Sequence, residues 1–151
     1  MMQIENNRIV TNSKQVKEGD TFVALQGGFD FIDEAKNRGA KKIIKGEKKF
    51  GLFAKSYLQS LRDKQGLRDK NKNLKVIGIT GSYGKTTTKD LSGFVLSHFG
   101  KAVWAKNSFN NEIGVPITIF QADETTQYLV LEMGANAIGD LVYLTNIAPL
   151  D

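Results

Sequence analysis

Cysteine is absent from this chain of 151 residues, and no apolar run approaches the length of a membrane span. Without cysteine the chain can form neither a disulfide nor a thiolate metal site, which suits a reducing cytosol. The amino-terminal residues, Met1 to Asn6, also lack the apolar core of a secretory signal. We therefore expect a cytoplasmic protein with no membrane insertion.

Histidine is scarce too, since the chain has only one, His98. It lies near the end of a predicted helix, where a cation suits the helix dipole, so we interpret it as structural. The net charge is +5, and much of the excess lies between Lys36 and Lys75. The sequence has no RNA-binding aromatic signature and no helix-turn-helix pattern. We interpret the charge as a solvated lysine surface and expect no nucleic-acid partner.

The length allows one medium domain or two small ones. Residues 62–74, RDKQGLRDKNKNL, are charged and lack apolar periodicity, which predicts a frayed helix end and a linker. We place a boundary near Asn73, which gives domains at 1–73 and 74–151. The predicted fold class is α/β, with a small amino-terminal α/β domain followed by part of a P-loop, parallel-sheet ATPase domain.

The first domain is predicted to contain two strands, at 21–25 and 41–44, and two helices, at 31–39 and 52–61. Five apolar residues of the second helix share roughly one face and are expected in the core: Leu52, Phe53, Tyr57, Leu58 and Leu61.

The second domain alternates strand and helix patterns, which is typical of a parallel sheet. Strands are predicted at 75–80, 102–105 and 128–133, and helices at 85–99, 113–120 and 140–147. Pro116 fits the first turn of the middle helix. Three strands make a thin sheet, so we expect the chain to be a fragment of a longer protein.

Residues 76–88, VIGITGSYGKTTT, place a glycine-containing loop between a strand and a helix. Gly81 and Gly84 allow a tight turn whose N–H groups can face phosphates, and the helix N-terminus favours the same anion. Lys85 can reach the terminal phosphates, and Thr86 can supply a hydroxyl to Mg²⁺. The strict G-x-x-x-x-G-K-[ST] template fails, because Ile79 stands where its first glycine belongs. The loop still predicts an ATP or GTP site in preference to a plain strand-to-helix turn.

Polar residues follow the loop in two places. Glu132 ends a predicted buried strand at the edge where α/β sheets bind ligands, and a carboxylate there suits Mg²⁺. A capping or ion-paired glutamate is the alternative. Asn110 and Asn111 offer amide groups to a sugar or diphosphate, with a turn or helix cap before Ile113 as the alternative. Tyr83 could flank a nucleotide or face solvent.

Three motifs, in order, resemble the Mur ligases of peptidoglycan synthesis. They are the loop at 80–88, N-S-F-N-N-E-I-G-V-P at 107–116, and L-E-M-G-A-N at 131–136 with Gly139 and Asp140. The last two motifs are most similar to the members that add D-Ala-D-Ala. The first domain agrees, since N-S-K at 12–14 and G-D-T-F-V-A-L at 19–25 are similar to the family's opening.

The resemblance implies a ligase that joins a carboxylate to an amine through an acyl phosphate, using ATP and Mg²⁺. The implied partners are UDP-N-acetylmuramoyl-tripeptide and D-Ala-D-Ala, and we expect a monomeric full-length enzyme. The implied ATP-binding residues are Gly81, Ser82, Tyr83, Gly84, Lys85, Thr86 and Thr87. Lys85 and Glu132 would be catalytic, and Thr86 and Glu132 would hold the metal. The precursor would be bound by Ser13, Lys14, Ser108, Asn110 and Asn111.

The sequence also departs from the family. Residues 27–31 are shorter than the usual G-x-x-x-D-G-H-x-F segment, and Lys14 replaces the usual arginine. The family's carbamylated lysine, its metal-binding histidine and its carboxyl-terminal domain would lie beyond Asp151. We therefore expect the chain alone to be inactive as a ligase.

Three alternatives stay open. One is another Mur-type or folylpolyglutamate-type ligase, against which N-N-E-I-G-V-P argues. The second is a basic nucleic-acid-binding module, for which the net charge alone is not sufficient evidence. The third is a P-loop nucleotide-binding module without ligase chemistry. The N-K-x-D motif that would favour a GTPase is absent.

Overall fold

The computed structural model describes residues 2–4, 7–68 and 74–151. The chain divides into two compact units, Met1–Phe53 and Ala54–Asp151. The first unit has a four-stranded sheet and the second a three-stranded sheet. The predicted α/β class, with a parallel sheet in the later part of the chain, is confirmed.

The sheet of the first unit has the order β1-β2-β3-β4. Its strands are Met2–Ile4 (β1), Asn7–Val10 (β2), Thr21–Ala24 (β3) and Lys42–Lys45 (β4). β1 and β2 are antiparallel, and the other neighbouring strands are parallel. The predicted strands at 21–25 and 41–44 are confirmed, whereas β1 and β2 were not predicted.

The core of the first unit lies between this sheet and a short helix, Ile32–Asn37 (α1), which confirms the helix predicted at 31–39. Six buried residues form it: Val10, Val16, Phe22, Ala24, Ile32 and Ala35. The ion pair of Arg8 and Asp20, 2.7 Å apart, joins β2 to the turn before β3. Burial raises the pKa of Asp20, but hydrogen bonds from Arg8 and the Lys17 N–H outweigh it, so the pKa lies below its ordinary value.

The longest helix, Glu47–Arg68 (α2), extends beyond the helix predicted at 52–61 in both directions. The predicted frayed end and linker is therefore wrong for residues 62–68, and 69–73 lie outside the described residues. Gln65 stabilises the additional turns at the carboxyl-terminal end of the helix. It is buried, its Nε2 donates to the Thr126 carbonyl at 2.7 Å, and its Oε1 accepts the Leu74 N–H at 2.7 Å. A buried amide whose hydrogen bonds are all made stabilises this end of the helix, whereas the charged residues around it contribute little.

The division between the compact units falls within α2, between Phe53 and Ala54. The predicted domain boundary near Asn73 lies outside the described residues and stays a prediction.

The apolar face predicted on α2 is confirmed in part. Tyr57, Leu58 and Leu61 are buried, but Leu52 is 61% exposed, so its assignment to the core was wrong. Leu52 precedes the buried Ala54 by two positions, and residues two apart on a helix do not share a face.

The second unit has a parallel sheet of order β5-β7-β6. Its strands are Lys75–Ile79 (β5), Ala102–Trp104 (β6) and Tyr128–Glu132 (β7), and its helices are Lys85–Ser97 (α3), Gly114–Ile119 (α4) and Asp140–Ile147 (α5). All six predicted elements are confirmed, with small shifts at their ends. None of the helices in the described ranges has the length and apolar character that crossing a bilayer needs.

Helix α3 packs closely on β6. A Cβ added to Gly93 would lie 2.3 Å from the ring of Trp104, so only glycine allows this approach. Near the end of α3, the His98 Nδ1 lies 2.9 Å from the Phe94 carbonyl oxygen, and the two rings meet edge to face. These local contacts agree with the structural interpretation of His98.

The register of the second sheet brings two distant parts of the sequence together. Ile79, the last residue of β5, pairs with Glu132, the last residue of β7. The loop that leaves β5 and the carboxylate that ends β7 therefore lie at the same edge of the sheet, where α/β proteins bind ligands.

A carboxylate with a perturbed pKa lies at the other end of this sheet, where its parallel strands begin. Asp123 precedes β7, pairs with Lys101, and accepts the Thr125 N–H at 2.9 Å. Burial raises its pKa, but the hydrogen bonds from Lys101 and Thr125 lower it more, and the balance leaves the pKa at about 2. Because the unfolded value is ~3.9, the contribution of Asp123 to stability is present above that pH and is lost as the pH falls towards 2.

We expect Asp123→Asn to lower the free energy of unfolding at pH 7 by about 1 kcal/mol or less, since solvent screens a half-exposed side chain. The difference from the wild type should shrink as the pH falls from about 4 to 2. Urea denaturation, followed by the fluorescence of the single tryptophan, Trp104, would measure this difference in free energy of unfolding for the second unit. Asp63→Asn, at an exposed position of α2, is the control. A difference that stays constant down to pH 2 would contradict the assignment.

Candidate active site

The loop 80–84 connects β5 to α3 at the ligand-binding edge of the sheet. Gly84 has a φ of 75° and Gly81 a φ of 149°, which are values that other L residues rarely adopt. The Thr88 N–H donates to the Gly84 carbonyl at 2.9 Å, so α3 begins directly at the glycine. The two glycines thus form the tight turn that a phosphate-binding loop requires.

Lys85 is the first residue of α3, and its Nζ donates to the Gly81 carbonyl at 2.7 Å. The ammonium group therefore lies against the loop, beside the free N–H groups of the first helical turn. A cationic side chain next to the N-terminus of a helix favours the binding of an anion there. Three other predicted nucleotide-binding residues are exposed on this loop and first turn: Ser82, Tyr83 and Thr87.

The carboxylate of Glu132 is buried, with 2% of the residue exposed. Thr86 Oγ1 donates to its Oε2 at 2.9 Å, and Asn110 Nδ2 donates to its Oε1 at 3.0 Å. Ser108 Oγ lies 3.1 Å from Thr86 Oγ1. We call these four residues the polar network. Burying a carboxylate is costly unless it is hydrogen-bonded, and here each of its oxygens accepts one bond.

The segment 107–111 contributes two members of the network. The Gly134 N–H donates to the Asn110 carbonyl at 2.8 Å, which joins the segment to the chain that follows β7. Asn111 Oδ1 accepts the Gly114 N–H at 2.9 Å. Asn111 thus makes the capping contact that the sequence left open, while its contact with substrate stays a prediction.

A cavity of about 120 Å³ opens beside the network, between Lys85, the 110–112 segment and the start of α5. Asp140 Oδ2 accepts the N–H groups of Asn136 and Ala137, both at 2.8 Å. These bonds hold the pKa of Asp140 below its ordinary value. Asp140 belongs to one of the motifs that resemble the Mur ligases, but its position beside the cavity was not predicted from the sequence.

The polar network contains oxygen atoms of the kind that bind Mg²⁺. In the described ranges, no group of three or more His, Cys, Asp or Glu side chains could hold a metal ion. Mg²⁺ is usually bound through one or two carboxylates together with substrate phosphates and water. The Thr86 hydroxyl and the Glu132 carboxylate, next to the Lys85 loop, fit a magnesium ion that arrives with a nucleotide.

Two predicted precursor-binding residues lie in the first unit. The Ser13 hydroxyl is buried and donates to Glu34 Oε2 at 2.7 Å, which lowers the pKa of Glu34. The Lys14 side chain is exposed, and its N–H donates to Asn12 Oδ1 at 3.0 Å. Ser13 is thus engaged within its own unit, and the role of both residues toward a nucleotide stays a prediction.

Comparisons with known proteins show what the chain is similar to. Residues 79–151 match the family model described as Mur ligase middle domain. The UDP-N-acetylmuramoyl-tripeptide–D-alanyl-D-alanine ligase of Rickettsia prowazekii is 33% identical over 150 residues, which are 93% of this chain and 33% of that protein.

Two solved structures are similar in fold. MurF from Acinetobacter baumannii is 28% identical with a TM-score of 0.80, over 95% of this chain and 34% of its own. The MurF ligase from Thermotoga maritima in complex with ADP is 35% identical with a TM-score of 0.69, over 95% of this chain and 36% of its own.

The family model matches the second half of the chain, and the relative and the solved structures match nearly all of it. The chain belongs to the Mur ligase family. Within that family it is similar to the UDP-N-acetylmuramoyl-tripeptide–D-alanyl-D-alanine ligases, as its motifs indicated. The chain spans about a third of the length of the curated relatives it matches.

Proposed function

We propose that this chain supplies the nucleotide site of an ATP-dependent ligase that joins UDP-N-acetylmuramoyl-tripeptide to D-Ala-D-Ala. The observation that carries the proposal is the 2.9 Å contact of Thr86 with the buried Glu132, beside the loop that holds Lys85. A phosphate-binding loop needs a hydroxyl and a carboxylate at this position to hold Mg²⁺. The proposed substrates are those in the names of the relatives that the chain resembles.

In the proposed reaction, a carboxylate oxygen of the precursor attacks the γ-phosphorus of ATP, and the bond to the ADP oxygen breaks. The amine of D-Ala-D-Ala then attacks the acyl phosphate, and phosphate leaves as the amide forms. The first step brings two anions together, so it demands neutralisation of charge and accurate positioning. Lys85 and the first turn of α3 would neutralise the phosphates, and Thr86 and Glu132 would hold a magnesium ion, which would neutralise further negative charge.

The precursor would lie along the segment that carries Ser108, Asn110 and Asn111, while Ser13 and Lys14 would contact its uridine nucleotide. Asn110 would act partly through Glu132, because its amide donates to that carboxylate. A monomeric state and a cytoplasmic location are parts of this proposal, as is inactivity of the 151-residue chain by itself.

The test is a ligation assay on a protein of the relatives' length that carries this chain. We expect ADP, phosphate and product to form with UDP-N-acetylmuramoyl-tripeptide and D-Ala-D-Ala, at ~1–10³ s⁻¹. Diaminopimelate and glutamate, offered as alternative amines, should give no product. Product with one of those amines alone would assign another type of ligase, and ATP hydrolysis without any amide product would favour a module without ligase chemistry.

A further inference from the structure

Lys89 in α3 is fully buried, with none of its surface exposed. Lysine is rarely buried unless its ammonium group is paired, because the charge loses its hydration. Lys89 lies one helical turn after Lys85 and three residues after Thr86, yet it has no part in the site described above. Its burial therefore requires a reason in its contacts.

Among the residues that the structure describes, Lys89 Nζ makes two polar contacts. It lies 3.2 Å from Asp90 Oδ1, and it donates to the main-chain carbonyl of Asn107 at 3.2 Å. Asp90 is the next residue of the same helix, so that ion pair joins α3 to nothing else. The bond to Asn107 joins α3 to a different part of the chain, since Asn107 is the first residue of the segment 107–111.

That segment carries Ser108, which contacts Thr86, and Asn110, which donates to Glu132. Its tip is therefore joined to the site by side chains, while its start is joined to α3 by the buried ammonium of Lys89. A main-chain carbonyl bonded to a buried cation is held more firmly than one bonded to water, because hydrogen bonds to charged groups are stronger.

We propose that Lys89 is a positioning residue, whose buried ammonium group holds the segment 107–111 so that Ser108 and Asn110 stay in contact with Thr86 and Glu132. The consequence for catalysis depends on the proposed function, whereas the consequence for the segment does not. The competing explanation is that Lys89 only fills space beneath α3.

Lys89→Met separates the two explanations, because methionine keeps an apolar stem and removes the ammonium group. Removing one partner of an ion pair is costly when the other charge stays buried, but Asp90 is half-exposed, so its carboxylate keeps its hydration and the fold should be retained. Hydrogen exchange on the chain itself should then become about tenfold faster or more at residues 107–115, with β5 and β7 still protected. Lys106→Met, at an exposed lysine beside the segment, should leave exchange unchanged.

Unchanged exchange at 107–115 in Lys89→Met would overturn the proposal, as would an equal loss of protection in β5 and β7. If Lys89→Met does not fold, Lys89→Gln is measured in the same way, since it keeps a neutral donor on a shorter stem. Failure of both variants to fold would assign Lys89 to packing alone and would also overturn it.

The second measurement uses a protein of the relatives' length. Lys89→Met should lower kcat by about 10- to 10²-fold, because a small misplacement of site groups has effects of that size, while the thermal midpoint changes little. An unchanged kcat in an active enzyme would overturn the positioning role. Absence of ligation in the wild type would contradict the proposed function, and the exchange experiment would still test Lys89.

Discussion

Replacing Lys85 with alanine is expected to lower the turnover of the proposed ligase, measured in a protein of the relatives' length, by ~10²-fold or more. The ammonium group lies 2.7 Å from the Gly81 carbonyl, at the mouth of the loop where phosphates would bind. Charge moves among the phosphate oxygens in the transition state, so the loss should fall mainly on kcat and less on the affinity for ATP. Steady-state kinetics at saturating substrates, together with the Kd of ATP, would separate the two effects.

Lys75→Ala is the matched control for this experiment. Lys75 begins β5, the strand that leads to the loop, and lies at the opposite end of that strand from Lys85. Its pair with Asp151 is an exposed surface contact of 3.5 Å, which contributes little to stability. Near-normal turnover in Lys85→Ala would refute the catalytic role of the loop.

Replacing Glu132 with glutamine is expected to raise the Mg²⁺ concentration for half-maximal activity by about tenfold or more. The amide has nearly the shape of the carboxylate but lacks its charge, which a hard cation such as Mg²⁺ requires. Fold should be retained, because the Asn110 amide can still donate to the remaining oxygen at this position. The measurement is a titration of Mg²⁺ at fixed, saturating ATP.

Glu124→Gln tests whether any loss of a glutamate charge in this unit has the same effect. Glu124 lies before β7, at the end of the sheet where the strands begin, and its Oε1 is 3.3 Å from Lys64 Nζ. The Mg²⁺ titration of Glu124→Gln should match that of the wild type. If the Glu132→Gln titration also matched, Glu132 would be a structural carboxylate, the alternative that its sequence context left open.

Local signals predicted most elements of the second unit. The helix at 140–147 and the strands around the loop follow from short apolar and glycine patterns that neighbouring residues determine. β1 and β2 were missed, because strands of three and four residues carry little pattern of their own. They are formed by pairing, with Met2 opposite Ile9. The error at Leu52 arose from treating an approximate helical face as a buried one.

By itself the sequence determined the family, the glycine loop and the order of strands and helices in the second unit. These depend on backbone preferences and on side chains close together along the chain. Tertiary structure alone decided that Thr86 donates to Glu132, that Asn110 donates to the same carboxylate, and that Lys89 is buried against Asn107. Such contacts join residues far apart in the chain, so no local pattern specifies them. The contact of Thr86 with Glu132, for example, forms because β5 and β7 pair in one register.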